Sequence, residues 1–556
     1  MARSNWSPPL ACSDEEEAVL ELCKKQKLWR FLRENRHVIL DEEVRSALDE
    51  LYSQSGRGRP PESPERLALA MLLQVAFNVA DHEVPTLTVV DRRWQVVLDV
   101  MGASSPAFSQ GTVFGFRERA RRGGLMRVLL EKTVAIARET RGFGHKRLRA
   151  IFDSSPLVGA GRVEDTFNLL GHAISDLVTV AAKEAGRQPE ELRAELGLTI
   201  GSGPSIKAAL DVDWREPTAR TAALNVLIEQ FERVQQWLQS QFDVEALTTP
   251  PLVEPMQVVE RILEQDTEPD PDSPGPAAAE SSDGPPGGSK STPRRIRQGG
   301  KDRQVSLSDP DMRFGRKSSH RVFAGYKRHV AVDADIPQLI CDVEVLAASR
   351  PEHEAVAPLL ERLTASYELN ELQVDRGYLP SEALHEQRLA GVALISKPPA
   401  PRATNRFSKW DFEVDFDNET ATCPAGVVVP LRLGRFTGFP SAECRPCKLR
   451  EQCISEKARR RQVRFHPHEQ FHREMAEELG TPEGRAKRRE RVVVEHSLAR
   501  VGAIQGNRSR FRGRAKTQFD TERVAVVNNL FVINGIQEAQ RQREARSVAE
   551  NQREAA

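Results

Sequence analysis

Apolar positions recur every three or four residues over the first quarter of the chain, in EEEAVLELCKKQKLWRFLREN, SPERLALAMLLQVAFNVADHEV and GLMRVLLEKTVAIARET. That spacing predicts amphipathic helices over residues 14–145. Ser63 before Pro64, and Ser109 or Thr112, are the expected N-caps. The pattern changes at 146–158, which has strand character, and the apolar run of RLRAIFD ends on Asp153. Helical spacing returns in DTFNLLGHAISDLVTVAAKEAG, PEELRAELG and TARTAALNVLIEQFERVQQWLQSQF. Residues 266–300 are dominated by Pro, Gly, Ser and charge, too polar to offset the entropy of ordering, and are expected to be disordered.

Strand and helix patterns then alternate. GYKRHVAVDAD and QLICDVEVLAA read as a strand pair, HEAVAPLLERLTA as a helix and ELQVD as a strand ending on Asp375. PSEALHEQRLAG follows as a helix and VALISK as a strand. This order predicts an α/β domain, a mixed sheet with helices on its faces. The expected organisation is an N-terminal helical domain (14–145), the first part of the α/β domain (146–159) and a helical insertion (160–265). A disordered linker (266–305), the continued α/β domain (306–404) and a Cys-rich insertion (405–480) follow. C-terminal helices (481–540) and a tail (541–556) complete the chain. The short N-terminal helices, the last carrying Arg117, Arg119, Arg121 and Arg122, fit either a helix-turn-helix-like DNA-binding domain or an ordinary bundle.

Composition changes this picture in two places. The 556 residues carry 80 basic and 80 acidic side chains, which argues against a polyanion partner until their distribution is considered. From Arg485 to Lys516 eleven bases face only Glu490 and Glu495. Within that run Arg488, Arg491, Arg500, Arg508, Arg510, Arg512, Arg514 and Lys516 are candidate DNA contacts. GNRSRFRGRAK, broken by Gly506 and Gly513, is expected to be a flexible loop that neutralises phosphates. No apolar run approaches the roughly 18 residues of a membrane span. Seven cysteines without a secretory signal point to a reducing compartment.

Two sets of side chains suggest metals. Asp153, Asp375 and Glu495 supply oxygen donors of the kind that Mg²⁺ takes, two on strand ends and one on a helix. Asp165, next to Glu164 at a helix start, competes with Asp153, but a strand end holds a ligand more rigidly. Asp375 could simply begin a turn, and Glu495 could pair on the surface with Arg491 or Arg488. Cys423, Cys444, Cys447 and Cys453 form one C-x-x-C with two flanking thiols, a set suited to structural Zn²⁺. Cys12, Cys23 and Cys341 fall outside any such spacing.

Five blocks carry a family resemblance: Asp153 to Gly171 (ending SPLVGAGRVEDTFNLLG), SDPDMRFGRKSSHRVFAGYKRHVAVD, VDRGYLP, the cysteine cluster and VEHSLARVGAIQGNRSRFRGRAKTQ. Together they resemble the DDE-type bacterial insertion-sequence transposases. The resemblance implies a ribonuclease-H-like catalytic domain with an N-terminal all-α DNA-binding domain. It also implies cut-and-paste movement by two-metal hydrolysis at transposon ends and 3′-hydroxyl strand transfer. Asp153, Asp375 and Glu495 then match the catalytic carboxylates, holding two Mg²⁺ or Mn²⁺ ions, and Arg491 fits an R-x-x-x-E pattern. A tyrosine and a lysine carried by some members are replaced by Arg488 and Gly502, so Arg500 or Arg508 would take the phosphate-clamping part. Implied partners are the terminal inverted repeats, target DNA and further copies of the chain in a homodimer or larger assembly. Neither a membrane nor a small-molecule cofactor is implied, and the setting is the bacterial cytoplasm, on the nucleoid. A transposase-derived DNA-binding protein without catalysis, or a metal-dependent endonuclease without strand transfer, are the alternatives.

Overall fold

A computed structural model describes residues 6–52, 62–142, 147–201, 205–271, 293–297, 300, 302–318, 320–398 and 405–554. Its first eight strands are β1 (Arg147–Val158), β2 (Thr267–Pro269), β3 (Arg294–Ile296), β4 (Arg313–Arg316), β5 (Val322–Asp333), β6 (Ile340–Ala347), β7 (Glu368–Gln373) and β8 (Ala393–Ile395). β1 lies at the centre of a six-stranded mixed sheet. β5 pairs antiparallel along one side of it and β7 parallel along the other. β8 extends the parallel side, while β6 and the short β4 share the far edge of β5. Leu148, Ala150, Ile151, Phe152 and Leu157 of β1 are buried, the apolar run expected of a central strand.

β1 does not end on Asp153 as its apolar run suggests. It continues to Val158, because β5 pairs with it from Ala150 through Val158 after β7 has stopped. The predicted strand pair is β5 and β6, and the predicted strand before Asp375 is β7.

The helices before β1 share one apolar core with the sheet and with a long C-terminal helix, Arg514–Glu554. That helix includes the segment expected to be a tail. It also covers the open edge of β6, an edge whose unpaired backbone groups would otherwise recruit another strand. The Asn529 side-chain amide accepts from the Ile340 N–H (2.9 Å) and donates to the Ile340 carbonyl (2.8 Å). Gln518 does the same for the Val345 N–H and the Val343 carbonyl.

Between β1 and β4 a helical insertion packs on a separate core that includes Phe167, Leu170, Leu224, Phe231 and Ile262. The ends of the segment expected to be disordered are paired as β2 with β3, and the Asp270 N–H donates to the Pro293 carbonyl. The rest of that expectation falls mostly on 272–292, outside the described residues. The cysteine-bearing segment has its own small core of Phe412, Phe439, Val463 and Phe465 under two short sheets. Among the described residues no helix is long and apolar enough to cross a membrane.

Replacing Asn529 by Leu leaves the buried Ile340 N–H and C=O unpartnered. Each such loss costs roughly 1–3 kcal/mol, so chemical denaturation of Asn529→Leu should show a stability loss of that order.

Candidate active site

The parallel register sets Ile151 beside Gln373. Two residues further along from each stand Asp153, still in β1, and Asp375, just past the end of β7. The site therefore lies where parallel pairing stops, at the carboxyl end of the strands, where open α/β sheets bind ligands. Arg491 reaches both carboxylates, Nη2 to Asp153 Oδ2 at 3.3 Å and Nη1 to Asp375 Oδ1 at 3.4 Å. Asp153 also accepts from the Ser154 N–H at 2.7 Å. Burial pushes the Asp153 carboxyl above its usual range, Arg491 opposes that, and Asp375 and Glu352 add to it.

Glu352 is a third carboxylate here, and nothing in its local pattern of residues singles it out. It lies in a short 3-10 turn after β6 and accepts from the Ser154 hydroxyl at 2.6 Å. Gly377 makes room for it: a Cβ at that position would collide with Glu352 Oε2. The glycine of Asp-Arg-Gly-Tyr thus serves a close approach as well as a turn. Tyr378, fully buried, pins the same turn through a 2.8 Å hydrogen bond between its hydroxyl and His329 Nδ1.

Asp153, Asp375 and Glu352 line one pocket with Arg316, Lys317 and Lys327. These bases come from β4, the residue after it and β5, and they give the mouth a cationic side suited to phosphate. The base-rich stretch RFGRKSSHRVFAGYKRH was the available signal for them.

Arg491 immediately precedes a helix, Val492–Gln505, packed through Val494, Ser497, Val501 and Gln505. The buried Arg328 guanidinium ties the end of that helix to the sheet, donating to Gln505 Oε1 (2.9 Å), the Gly506 carbonyl (3.2 Å) and Ser155 Oγ (3.2 Å). Its other end is tied by Glu490, which pairs at 2.7 Å with Arg149 of β1. Arg149 also pairs with Glu371 of β7 at 2.8 Å and with Asp335 at 2.9 Å.

Glu495 lies one helical turn beyond Arg491 but is exposed, and the pocket holding both aspartates is lined without it. The structure thus brings together Asp153, Asp375 and Arg491 and does not bring Glu495 to them. Asp165 is elsewhere: it caps the helix Thr166–Glu184 and pairs with Lys207.

The expected arginine loop is not free. The Val158 N–H donates to the Asn507 carbonyl and the Ser509 N–H to the Val158 carbonyl, so the loop is laced to the end of β1. Arg510 is half-buried and donates to the Ile504 carbonyl. Arg500 donates to Gln338 and lies over the Phe531 ring. Arg488, Arg508, Arg512, Arg514 and Lys516 are exposed.

Cys423, Cys444, Cys447 and Cys453 line a single small pocket, and none is in a disulfide. Burial raises the Cys453 thiol, and the other three thiols add to that rise, as expected of close neighbours. Among the described residues no three His, Cys, Asp or Glu side chains already stand as a metal-holding set.

Two family models match the chain. A model described as "Transposase DDE domain" matches residues 422–533, and one described as "Transposase domain (DUF772)" matches residues 20–119. Both regions are thus similar to transposase domains, the C-terminal one to the DDE type. The matches cover under half of the chain; the first includes Arg491 and Glu495 and begins past both aspartates. No curated protein and no solved structure matches significantly. A transposase of this type acts on DNA as a polynucleotidyl transferase or endonuclease and uses divalent metal ions.

A double-mutant cycle of Arg491→Met and Asp153→Asn, followed by urea denaturation, should give a coupling of about 0.5–1 kcal/mol, small because the pair is partly solvated. Zero coupling would mean that the guanidinium does not engage the carboxylate in solution.

Proposed function

We propose that this transposase cuts DNA at the ends of an insertion sequence and joins the freed 3′-hydroxyls to target DNA, using a ribonuclease-H-like catalytic domain. One observation carries the reading. Asp153 in β1 and Asp375 just past the end of the neighbouring β7, remote in sequence, meet where the parallel pairing stops, bridged by one guanidinium. The strand order, with β6, β5 and β1 antiparallel and β7 and β8 parallel on the far side, supports the domain assignment.

In this reading Asp153, Asp375 and Glu495 would hold two Mg²⁺ or Mn²⁺ ions. Their donor chemistry fits, since all are carboxylates and hard dications take oxygen ligands. Such ions, when bound, lower the pKa of water and stabilise charge on the attacking and leaving oxygens. The chain's own residues do the positioning. Arg491 offsets the charge of the two aspartates that it bridges. Helical spacing puts Glu495 on the same face as Arg491, the side chain that reaches both aspartates. Arg316, Lys317 and Lys327 bind the phosphates flanking the reacting bond.

The exposed Arg488, Arg508, Arg512, Arg514 and Lys516 neutralise the backbone further out, without reading bases. Arg500 and Arg510 act mainly by holding the site helix and the arginine loop in place. Recognition of the terminal repeats falls to the N-terminal helices, and synapsis of two ends calls for a homodimer or larger assembly. The four clustered thiols support a structural Zn²⁺ site.

The deciding experiment is cleavage and joining of DNA carrying the flanking inverted repeats, with Mg²⁺ or Mn²⁺. Asp375→Ala and Asp153→Asn should each lose more than about 100-fold, because even outer-shell partners of metal sites cost 10–100-fold. Asp165→Asn should cleave like the parent. Tight end-binding by the parent without any cleavage would overturn the enzymatic reading in favour of a DNA-binding derivative. Cleavage without joining would leave an endonuclease. In binding assays, Arg512→Gln should reduce the slope of log K against log[salt] by about 0.9, the share of one phosphate contact.

A further inference from the structure

Four of the twelve histidines meet at a place the DNA chemistry does not use. His385 lies on the helix Glu382–Leu389, beside the parallel edge of the sheet. His466 and His468 follow the short strand Gln462–Arg464, and His472 lies on the helix Glu469–Gly480. The rings of His385 and His468 stack with centroids 3.5 Å apart, and those of His466 and His472 are 4.6 Å apart. His385 and His472 are 6.3 Å apart, which closes the group.

The burial and hydrogen bonding of these rings are unusual for a packed core. His385 and His472 are each 1% exposed. Neither ring nitrogen of His472 has a hydrogen-bond partner, nor has His385 Nδ1. Buried polar atoms are almost always satisfied, so three orphans in one cluster ask for a ligand.

The existing hydrogen bonds already select the lone pairs. His385 Nε2 lies 3.2 Å from the Leu379 carbonyl, which can only accept, so Nε2 carries the proton and Nδ1 is bare. His468 Nε2 faces the Glu382 carboxylate at 3.1 Å, which leaves Nδ1 as the nitrogen free to turn toward an ion. A carbonyl or carboxylate behind an imidazole is the usual outer partner of a metal-binding histidine. Burial, reinforced by the neighbouring rings, holds His385 down at about 4 and His472 at about 3, so both are neutral at pH 7. Nearby Glu469 is fully buried but committed to Lys409 at 2.6 Å.

We propose that His385, His468 and His472, with His466 at the rim, bind a zinc-type transition-metal dication, separate from both the carboxylate pocket and the four cysteines. Imidazole donors suit such ions. The rings now stand stacked rather than converged, so closing on the ion turns them about their Cβ–Cγ bonds. The bound ion would clamp the cysteine-bearing segment, through its following helix, to the flank of the catalytic sheet.

The test uses the full chain, equilibrated with zinc sulfate, desalted, and examined by metal analysis and zinc X-ray absorption. The expected spectrum contains nitrogen scatterers at roughly 2.0–2.1 Å with imidazole outer shells. His472→Gln should lose about one zinc equivalent and most of the nitrogen signal while keeping any sulfur signal, and Cys447→Ser should keep the nitrogen signal. If the histidine variant does not fold, the parent spectrum decides alone. A first shell of sulfur only, or no bound zinc, overturns the proposal, as does unchanged zinc content in folded His472→Gln.

Discussion

The register of β1 against β7 is the constraint on which the site depends. Side chains alternate across a strand, so a slip of one residue would turn Asp153 to the opposite face of the sheet. Three features hold the register. The buried run Leu148, Ala150, Ile151 and Phe152 permits no shift without exposing apolar surface. The long antiparallel pairing with β5 fixes β1 from its other side. Arg149, spanning Glu371 of β7 and Glu490 next to Arg491, links the strand pair to the start of the site helix. One arginine therefore ties the strands beside the aspartates to the start of the helix that follows the bridging guanidinium.

That helix shows opposed charges one turn apart. Arg491 points to the aspartates and Glu495 is exposed, with Arg328 at the far end fixing the helix against β1 and β5. A guanidinium between two carboxylates relieves their mutual repulsion, and a dication does the same with more charge. In the proposed function the same stretch carries both a stand-in for the ions and, one turn on, a candidate ligand for them.

Much of this was legible in the sequence, for identifiable reasons. β1, β5, β6, β7 and β8 announce themselves as apolar runs between polar turns. Asp375 follows such a run, and Arg491 is tied to Glu495 by helical spacing. Periodicity did not show what neighbours impose. Asp153 lies inside β1 because β5 extends it. Glu352 and Lys327 join the site only through tertiary pairing, and Gly377 matters because of a carboxylate twenty-five positions before it. The arginine loop reads as flexible from its glycines but is laced to Val158. The exposed end of the C-terminal helix has no apolar stripe, and it continues a segment that does. The four histidines lie too far apart in sequence for spacing alone to have grouped them.

The ribbon of β2 and β3 has a consequence for the architecture. Its base is anchored by buried Asp266, which accepts from Thr166 and pairs with Arg303 at 2.6 Å. The chain that leaves beyond Asp270 comes back at Pro293 to the same spot, whatever lies between. Once two ends are clasped, lengthening the intervening stretch adds only a logarithmic entropy cost. This is where the polypeptide can absorb an inserted fluorophore, an affinity handle or a whole foreign module while the carboxylates keep their places.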